Sequence, residues 1–206
     1  FALIKPYLQE GIEITSEVNP NSATPQWLSG MRELGVNRLS FGVQSFDNDK
    51  LKKLARAHNS EQAKEAIHNA YNLGFKNISL DLIYATAFED KELLRNDLEI
   101  AFSLPINHLS AYALTIEANT AFESTPEVAL EKLERTTWFL ESIAQRGFPS
   151  YEISNFGNYQ SQHNLGYWKY KDYMGVGAGA VGFLKDTRYY PLTDIEQYIL
   201  TPLSIN

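Results

Sequence analysis

The stretch Asn37–Phe46, NRLSFGVQSF, decides the fold. Leu39, Ser40, Phe41, Gly42 and Val43 form a strand-type run that ends in Gln44, and a helix-prone stretch follows. The same shape recurs on both sides. Upstream, Ile12-Glu13-Ile14-Thr15-Ser16-Glu17 ends on a carboxylate and is followed by Asn19-Pro20. Downstream, Asn77-Ile78-Ser79-Leu80-Asp81-Leu82-Ile83-Tyr84 carries Asp81. Strands separated by helical stretches indicate successive βα units and a parallel sheet. In barrels built this way the active-site groups sit at the C-terminal ends of the strands. The pattern therefore predicts that Glu17, Gln44 and Asp81 face one rim.

Working outward, Thr24-Pro25 opens a helix that runs to Leu34 and stops at Gly35. A second strand is expected over 36–43, a short helix over 46–55, and a longer one from Ser60, as N-cap, to Leu73. A third strand over 77–83 precedes a helix over 91–102, which Pro105 ends. A fourth strand over 107–116 precedes a long helix over 126–146, closed by Gly147. Tyr151-Glu152-Ile153 reads as a short edge strand. From Ser154 the composition shifts to Asn, Gly, Tyr and Gln, which predicts loops. Residues 1–153 are thus expected to form part of a barrel, and 154–206 a loop-rich connection toward a further C-terminal domain. A closed eight-stranded barrel needs roughly 250 residues, so an open or partial one is predicted.

The 206 residues are 44% apolar, enough for a packed core, and carry a net charge of −7, which argues against a general nucleic-acid or anionic-membrane surface. No run of about 18 apolar residues is present, so no membrane span is predicted. There is no cysteine. Disulfides, thiolate metal sites and cysteine nucleophiles are excluded within this chain. The cytoplasm is the default compartment for such a βα protein.

Several residues could carry chemistry. Glu17, Gln44 and Asp81 could each cap a following helix. Three at equivalent positions offer acceptors and an amide suited to ribose hydroxyls and an ammonium group. Arg56, in Leu54-Ala55-Arg56-Ala57-His58, reads either as a solvated surface arginine or as a bidentate carboxylate clamp. His163-Asn164-Leu165-Gly166-Tyr167-Trp168 places a histidine beside two large aromatics in a polar loop. It is either a structural histidine or one that binds a flat apolar ligand or ligates its metal. Gly177, Gly179 and Gly182 match G-x-G-x-x-G, but no strand precedes them and no helix follows; a tight turn with close backbone packing is expected.

Glu17-Val18-Asn19-Pro20, NRLSFGVQSF, Leu54–His58 and Asp81-Leu82-Ile83-Tyr84 together closely resemble the radical S-adenosylmethionine (SAM) proteins related to oxygen-independent coproporphyrinogen III oxidase. Tyr151–Phe156 and His163–Trp168 resemble the HemW branch of haem chaperones within that family. The resemblance implies an α/β fold, a partial (β/α)6 TIM-like barrel. It implies that Glu17, Gln44, Arg56 and Asp81 contact SAM, with Arg56 on the methionyl carboxylate. It also implies a [4Fe–4S] cluster, and it associates His163, Tyr167 and Trp168 with haem. The functions that follow are haem chaperoning, with delivery to an apoprotein, or oxidation of coproporphyrinogen III in porphyrin biosynthesis. A barrel fragment inactive by itself is the third reading. Two departures stand out. The family's three-cysteine C-x-x-x-C-x-x-C motif and its glycine-rich SAM loop are not in this sequence and are expected ahead of Phe1, as in an interior fragment. The family's Gly-Leu-Pro after Asp-Leu-Ile-Tyr is replaced by Ala85-Thr86-Ala87-Phe88.

Overall fold

In the computed structural model, residues 1, 3–118, 120 and 122–202 are described. They form two compact units, Phe1–Gln160 and Ser161–Asn206. The first is built on a five-stranded sheet in sequential order. Its strands are β1 (Thr15–Val18), β2 (Arg38–Gln44), β3 (Asn77–Tyr84), β4 (His108–Ala113) and β5 (Asn155–Gly157). β1 to β4 run parallel and β5 pairs antiparallel with β4. The connecting helices are α1 (Pro25–Leu34), α2 (Asn48–Lys53), α3 (Ser60–Asn72), α4 (Lys91–Ser103) and α5 (Leu133–Gln145). This is an α/β sheet of consecutive βα units, a partial barrel.

Local chemistry explains most of the helix ends. The Thr24 hydroxyl accepts from the Trp27 amide at 3.2 Å, Pro25 takes the first helical position, and Gly35 closes α1 at φ 98°. Asn59, not Ser60, caps α3: its side chain accepts from the Gln62 amide while Gln62 accepts from the Asn59 amide, both at 2.9 Å. Asp90 caps α4 through the Leu93 amide.

Alternation along the strands sorts the sheet into two unlike faces. Leu39, Phe41, Val43, Ile78, Leu80, Leu82, Leu109, Ala111 and Phe156 lie on one face, in one core with Leu28, Ile67, Leu94, Leu98, Phe139 and Ile143 of the helices. Full burial of each large member contributes roughly 1.5–3 kcal/mol. The opposite face carries Glu17, Arg38, Ser40, Ser79, Asp81, His108, Ser110 and Asn155, as the strand registers require. Most of these are buried too: Arg38, Ser79, His108 and Asn155 all lie under 5% exposure. Buried polar groups demand partners, so this face is a fixed network rather than a solvated surface.

Three elements differ from expectation. The long helix over 126–146 is a 3₁₀ turn at Pro126–Val128 and then α5. Its first residues are instead drawn into backbone bonds with the loop after β3: Ala87 N–H donates to Val128 O and Leu130 N–H to Ala85 O. Tertiary pairing overrides helix propensity there. Tyr151–Ile153 is not a strand; the edge strand is β5, two residues later, so the sheet extends past residue 153. The third difference lies in the second unit. His163–Trp168 is not in a loop but in α6 (Gln162–Trp168), where the Ser161 hydroxyl accepts from the Asn164 amide.

The second unit continues with a hairpin, β6 (Gly182–Leu184) and β7 (Thr187–Tyr189), and ends in α7 (Ile195–Leu200). Its glycines serve backbone packing. A Cβ on Gly182 would sit 1.9 Å from the Tyr189 ring, and one on Gly175 would sit 1.9 Å from Ala180 O. Gly177 and Gly179 take φ 124° and 71°. β6 rather than a helix follows the glycines, so G-x-G-x-x-G here is a turn.

Candidate SAM site on the polar face of the sheet

Parallel pairing brings the C-terminal ends of β1, β2 and β3 to one edge. Glu17 is next to last in β1, Gln44 is last in β2, and Asp81 lies three residues before the end of β3. Glu17 is in register with Ser40, and the Ser40 hydroxyl donates to Asp81 Oδ1 at 3.4 Å. The two carboxylates therefore flank one serine. Asp81 is pushed up to about 7, first by burial and then by the Glu17 charge, against the opposing pull of Ser110, Arg38 and Ser40. A cation placed between Glu17 and Asp81 would relieve that repulsion.

Gln44 closes β2 in the left-handed region, φ 71°, a conformation that costs a non-glycine residue roughly 1–3 kcal/mol. The conformation is held from behind. The Ser45 hydroxyl donates to Asp97 at 2.9–3.0 Å and the Phe46 amide donates to Asp97 Oδ1 at 2.6 Å. The Gln44 amide then lies over Gly42, where a Cβ would approach Gln44 Nε2 to 3.0 Å and Asn19 Oδ1 to 3.9 Å. A mid-strand glycine here makes room for the amide.

Arg56 follows α2. Its amide donates to Leu51 O, and Ala55 before it takes φ 54°. His58 Nε2 meets Val43 O at 2.9 Å, which ties this segment to the top of β2; a carbonyl can only accept, so Nε2 carries the proton. Burial, more than the nearby Arg56 charge, lowers His58 below its ordinary range. Arg56 Nε is buried without a hydrogen-bond partner among the described residues. An orphaned guanidinium donor is what a carboxylate clamp needs.

Two sets of residues escaped the sequence reading. One lies lower on the polar face. His108 meets the Ser79 hydroxyl at 2.6 Å and the Tyr151 hydroxyl at 2.7 Å; burial, then the Arg38 charge, drives it down to about 3, so it is neutral. Tyr159 donates to Glu13 Oε2 at 2.5 Å. The alternating polar and apolar residues of Ser79–Leu82 and His108–Ala111 carried that signal. The other set lies behind the rim. Lys50, with a fully buried side chain, donates to Glu89 Oε2 at 2.6 Å and to Ile83 O at 2.7 Å, and lies 3.9 Å from Asp97. Arg135 donates to the backbone carbonyls of Glu89, Thr86 and Leu130. No spacing marks Lys50 off from its exposed neighbours Lys52 and Lys53.

In the second unit, His163 packs edge-on against Tyr167 at 4.6 Å, one helical turn away, and both are exposed. Trp168 is 52% exposed. Gly166, on the same side of α6, has nothing within 4 Å of its would-be Cβ.

The sequence profile of the radical SAM superfamily matches residues 1–100. That match takes in just under half of the chain. The chain is 34% identical over 196 residues to the haem chaperone HemW of Lactococcus lactis, covering 91% of this chain and 52% of that protein. It is 40% identical over 177 residues to the haem chaperone HemW of Escherichia coli, covering 82% and 46%. The chain thus spans about half the length of the curated relatives it matches. Among solved structures, the radical SAM enzyme coproporphyrinogen III oxidase (HemN) of E. coli superposes with a TM-score of 0.79 over 99% of this chain and 53% of that one. At 20% identity that likeness speaks for the fold: the sheet is a partial barrel of the radical SAM type.

The match to the radical SAM superfamily implies SAM and a [4Fe–4S] cluster. The rim fits SAM: two crowded carboxylates for a cationic ligand, a strained amide, and an orphaned guanidinium. The chain's own residues do not fit the cluster, because it has no cysteine.

Proposed function

We propose that the chain is the SAM-holding part of a HemW-type haem chaperone. The observation that carries the SAM assignment is the placing of Glu17 and Asp81 on either side of Ser40, where burial first and the Glu17 charge second raise Asp81. In this reading the carboxylates take the ribose hydroxyls and the ammonium group, Gln44 supplies an amide, and Arg56 clamps the methionyl carboxylate. Bound SAM supplies one-electron chemistry when it is reduced. The protein's own contribution is positional: the Asp97 and Lys50 contacts hold the rim in one geometry before ligand arrives.

Haem is assigned to the second unit. α6 presents His163 and Tyr167 on one exposed stripe beside the open Gly166 position, and Trp168 follows at its end. A flat apolar ligand needs such a surface, and its iron takes a neutral imidazole. Residues beyond 153 then lead toward a further domain, and an apoprotein receives the haem.

The second reading, oxidation of coproporphyrinogen III, is favoured by the fold of HemN. The intact protein, reconstituted under anaerobic conditions, separates the two. It should bind haem with a shifted Soret band that His163→Ala weakens, and should leave coproporphyrinogen III unchanged in the presence of SAM. Turnover of the porphyrinogen, with no haem-dependent spectrum, would reverse the assignment.

A further inference from the structure

The α6 stripe continues into a cleft of about 220 Å³ lined by Tyr167, Trp168, Tyr170, Tyr173, Phe183 and Arg188. Its walls are rings at fixed spacings. Tyr167 meets Tyr173 edge-on at 4.7 Å, and Tyr173 stacks on Phe183 at 6.1 Å. Backbone bonds lock two of these walls together: the Tyr173 amide donates to Phe183 O and the Phe183 amide to Tyr173 O, at 2.8 and 2.9 Å. Phe183 is buried at the back, while Tyr170 and Trp168 stand 76% and 52% exposed at the mouth. Exposed aromatic clusters of this kind mark binding surfaces.

Arg188 is the one charged residue that lines this cleft. It pairs with Phe183 across β6 and β7, so its side chain rises on the same face of the hairpin as the ring at the back. It makes no ion pair among the described residues, and no carboxylate lines the cleft beside it. The nearby Asp172 is engaged elsewhere, accepting from the Lys185 amide. Aromatic walls with a single unpaired guanidinium select a particular chemistry: a flat conjugated ring whose edge carries a carboxylate.

We propose that Arg188 anchors a carboxylate of a flat conjugated ligand seated in this cleft, and so selects tetrapyrroles with free propionates. The proposal rests on the haem reading above and adds to it a residue and a discrimination. His163 and Tyr167 present the face of the ring, and Arg188 holds its acidic edge.

The test compares haem with its dimethyl ester in Soret titrations of the intact protein. The ester keeps the ring and iron and removes the charge. The wild-type protein should bind free haem more tightly than the ester. Arg188→Ala should weaken haem about three- to tenfold, the range of a half-exposed to desolvated arginine–carboxylate pair, and leave the ester unchanged. Arg188→Lys should restore part of the loss. The unchanged ester affinity also reports that the hairpin is still folded. Equal affinities of the wild type for haem and ester, or a parallel loss of both in Arg188→Ala, would end the anchor and leave the haem reading standing. No haem-dependent spectrum in the wild type would end both.

Discussion

The rim of the sheet and the cleft in the second unit are both proposed ligand sites, yet they are built by opposite means. At the rim Glu17, Gln44 and Asp81 stand on strands and Arg56 follows α2, and the turn that carries Gln44 is held from behind by buried charges. Lys50, Glu89 and Asp97 all have side chains at or below 1% exposure and fasten the turn after β2 to the end of β3, the loop before α4 and the middle of α4. In the cleft the ligand-facing groups are large rings and one arginine, held by stacking and a short hairpin and open to solvent. A polar ligand with defined hydrogen bonds needs fixed donors and acceptors. A flat apolar ligand that must later be released is served by surface area and one charge. The difference shows which substitutions each site should tolerate.

The sharpest way to break the comparison is at Lys50. Removing one member of a buried ion pair leaves the others desolvated and uncompensated, at a cost of about 3–5 kcal/mol. Lys50→Met should lower stability by that amount in denaturant unfolding. It should also weaken SAM binding, because the turn that carries Gln44 and the carbonyl end of β3 lose their common fastener. Haem binding, measured below the unfolding transition, should stay at the parent level. If Lys50→Met leaves SAM affinity intact, the rim is not organised from behind.

Asp81→Asn sharpens the comparison on the electrostatic side. In the folded protein the carboxyl is held at about 7 rather than 3.8, so the native state keeps this proton longer than the unfolded chain does. Stability therefore declines as pH rises from about 4 to about 7, and the cost is fully present above that. Asp81→Asn removes the cost. The variant should be more stable than the parent at roughly pH 8, with the gap closing toward pH 4. It should bind SAM about tenfold or more weakly, the loss expected for a hydrogen bond to a charged group. In the parent, SAM affinity should fall as pH drops through about 7. A variant less stable than the parent at alkaline pH would mean that Asp81 is a structural carboxylate matched to Arg38, not a ligand group.

How much of this was legible depended on how local its cause was. α1 falls where expected because Thr24, Pro25 and Gly35 act within one turn of its ends. The parallel order and the placing of Glu17, Gln44 and Asp81 on one edge followed from repeated strand patterns. The start of α5 did not, because the chain over Val128–Leu130 pairs with Ala85–Ala87, more than forty residues earlier. α6 was missed because Gly166 and its Asn- and Gly-rich flanks read as a loop, while the Ser161 cap is worth a helix start only once the chain is seen to turn there. The polar face was written in the alternation of Ser79–Leu82, but only its rim was taken as meaningful. Lys50 could not be read at all: which of three lysines in α2 turns inward is decided by Glu89 and Asp97 on other elements.

The smallest expected effect concerns the loop after β3, where the family's Gly-Leu-Pro is replaced. Ala85 is buried and adopts φ 61°. A left-handed conformation costs an alanine roughly 1–2 kcal/mol, while glycine adopts it freely at the expense of greater freedom in the unfolded chain. The surrounding bonds explain why the conformation persists. Leu130 donates to Ala85 O, Ala87 donates to Val128 O, and the Thr86 hydroxyl donates to Glu89 Oε2, which also holds Lys50. The loop is thus bent by the same network that organises the rim, and the strain at Ala85 is opposed by it. Ala85→Gly should raise stability by about 0.5–1 kcal/mol, the difference between those two costs. SAM affinity should not change, since the network and not the residue sets the geometry. Ala85→Val, which cannot relax into this region, should destabilise by more than the glycine gains. If the glycine variant is instead less stable and binds SAM more weakly, then Ala85 itself shapes the rim, and the loop differs from the family's because this site does.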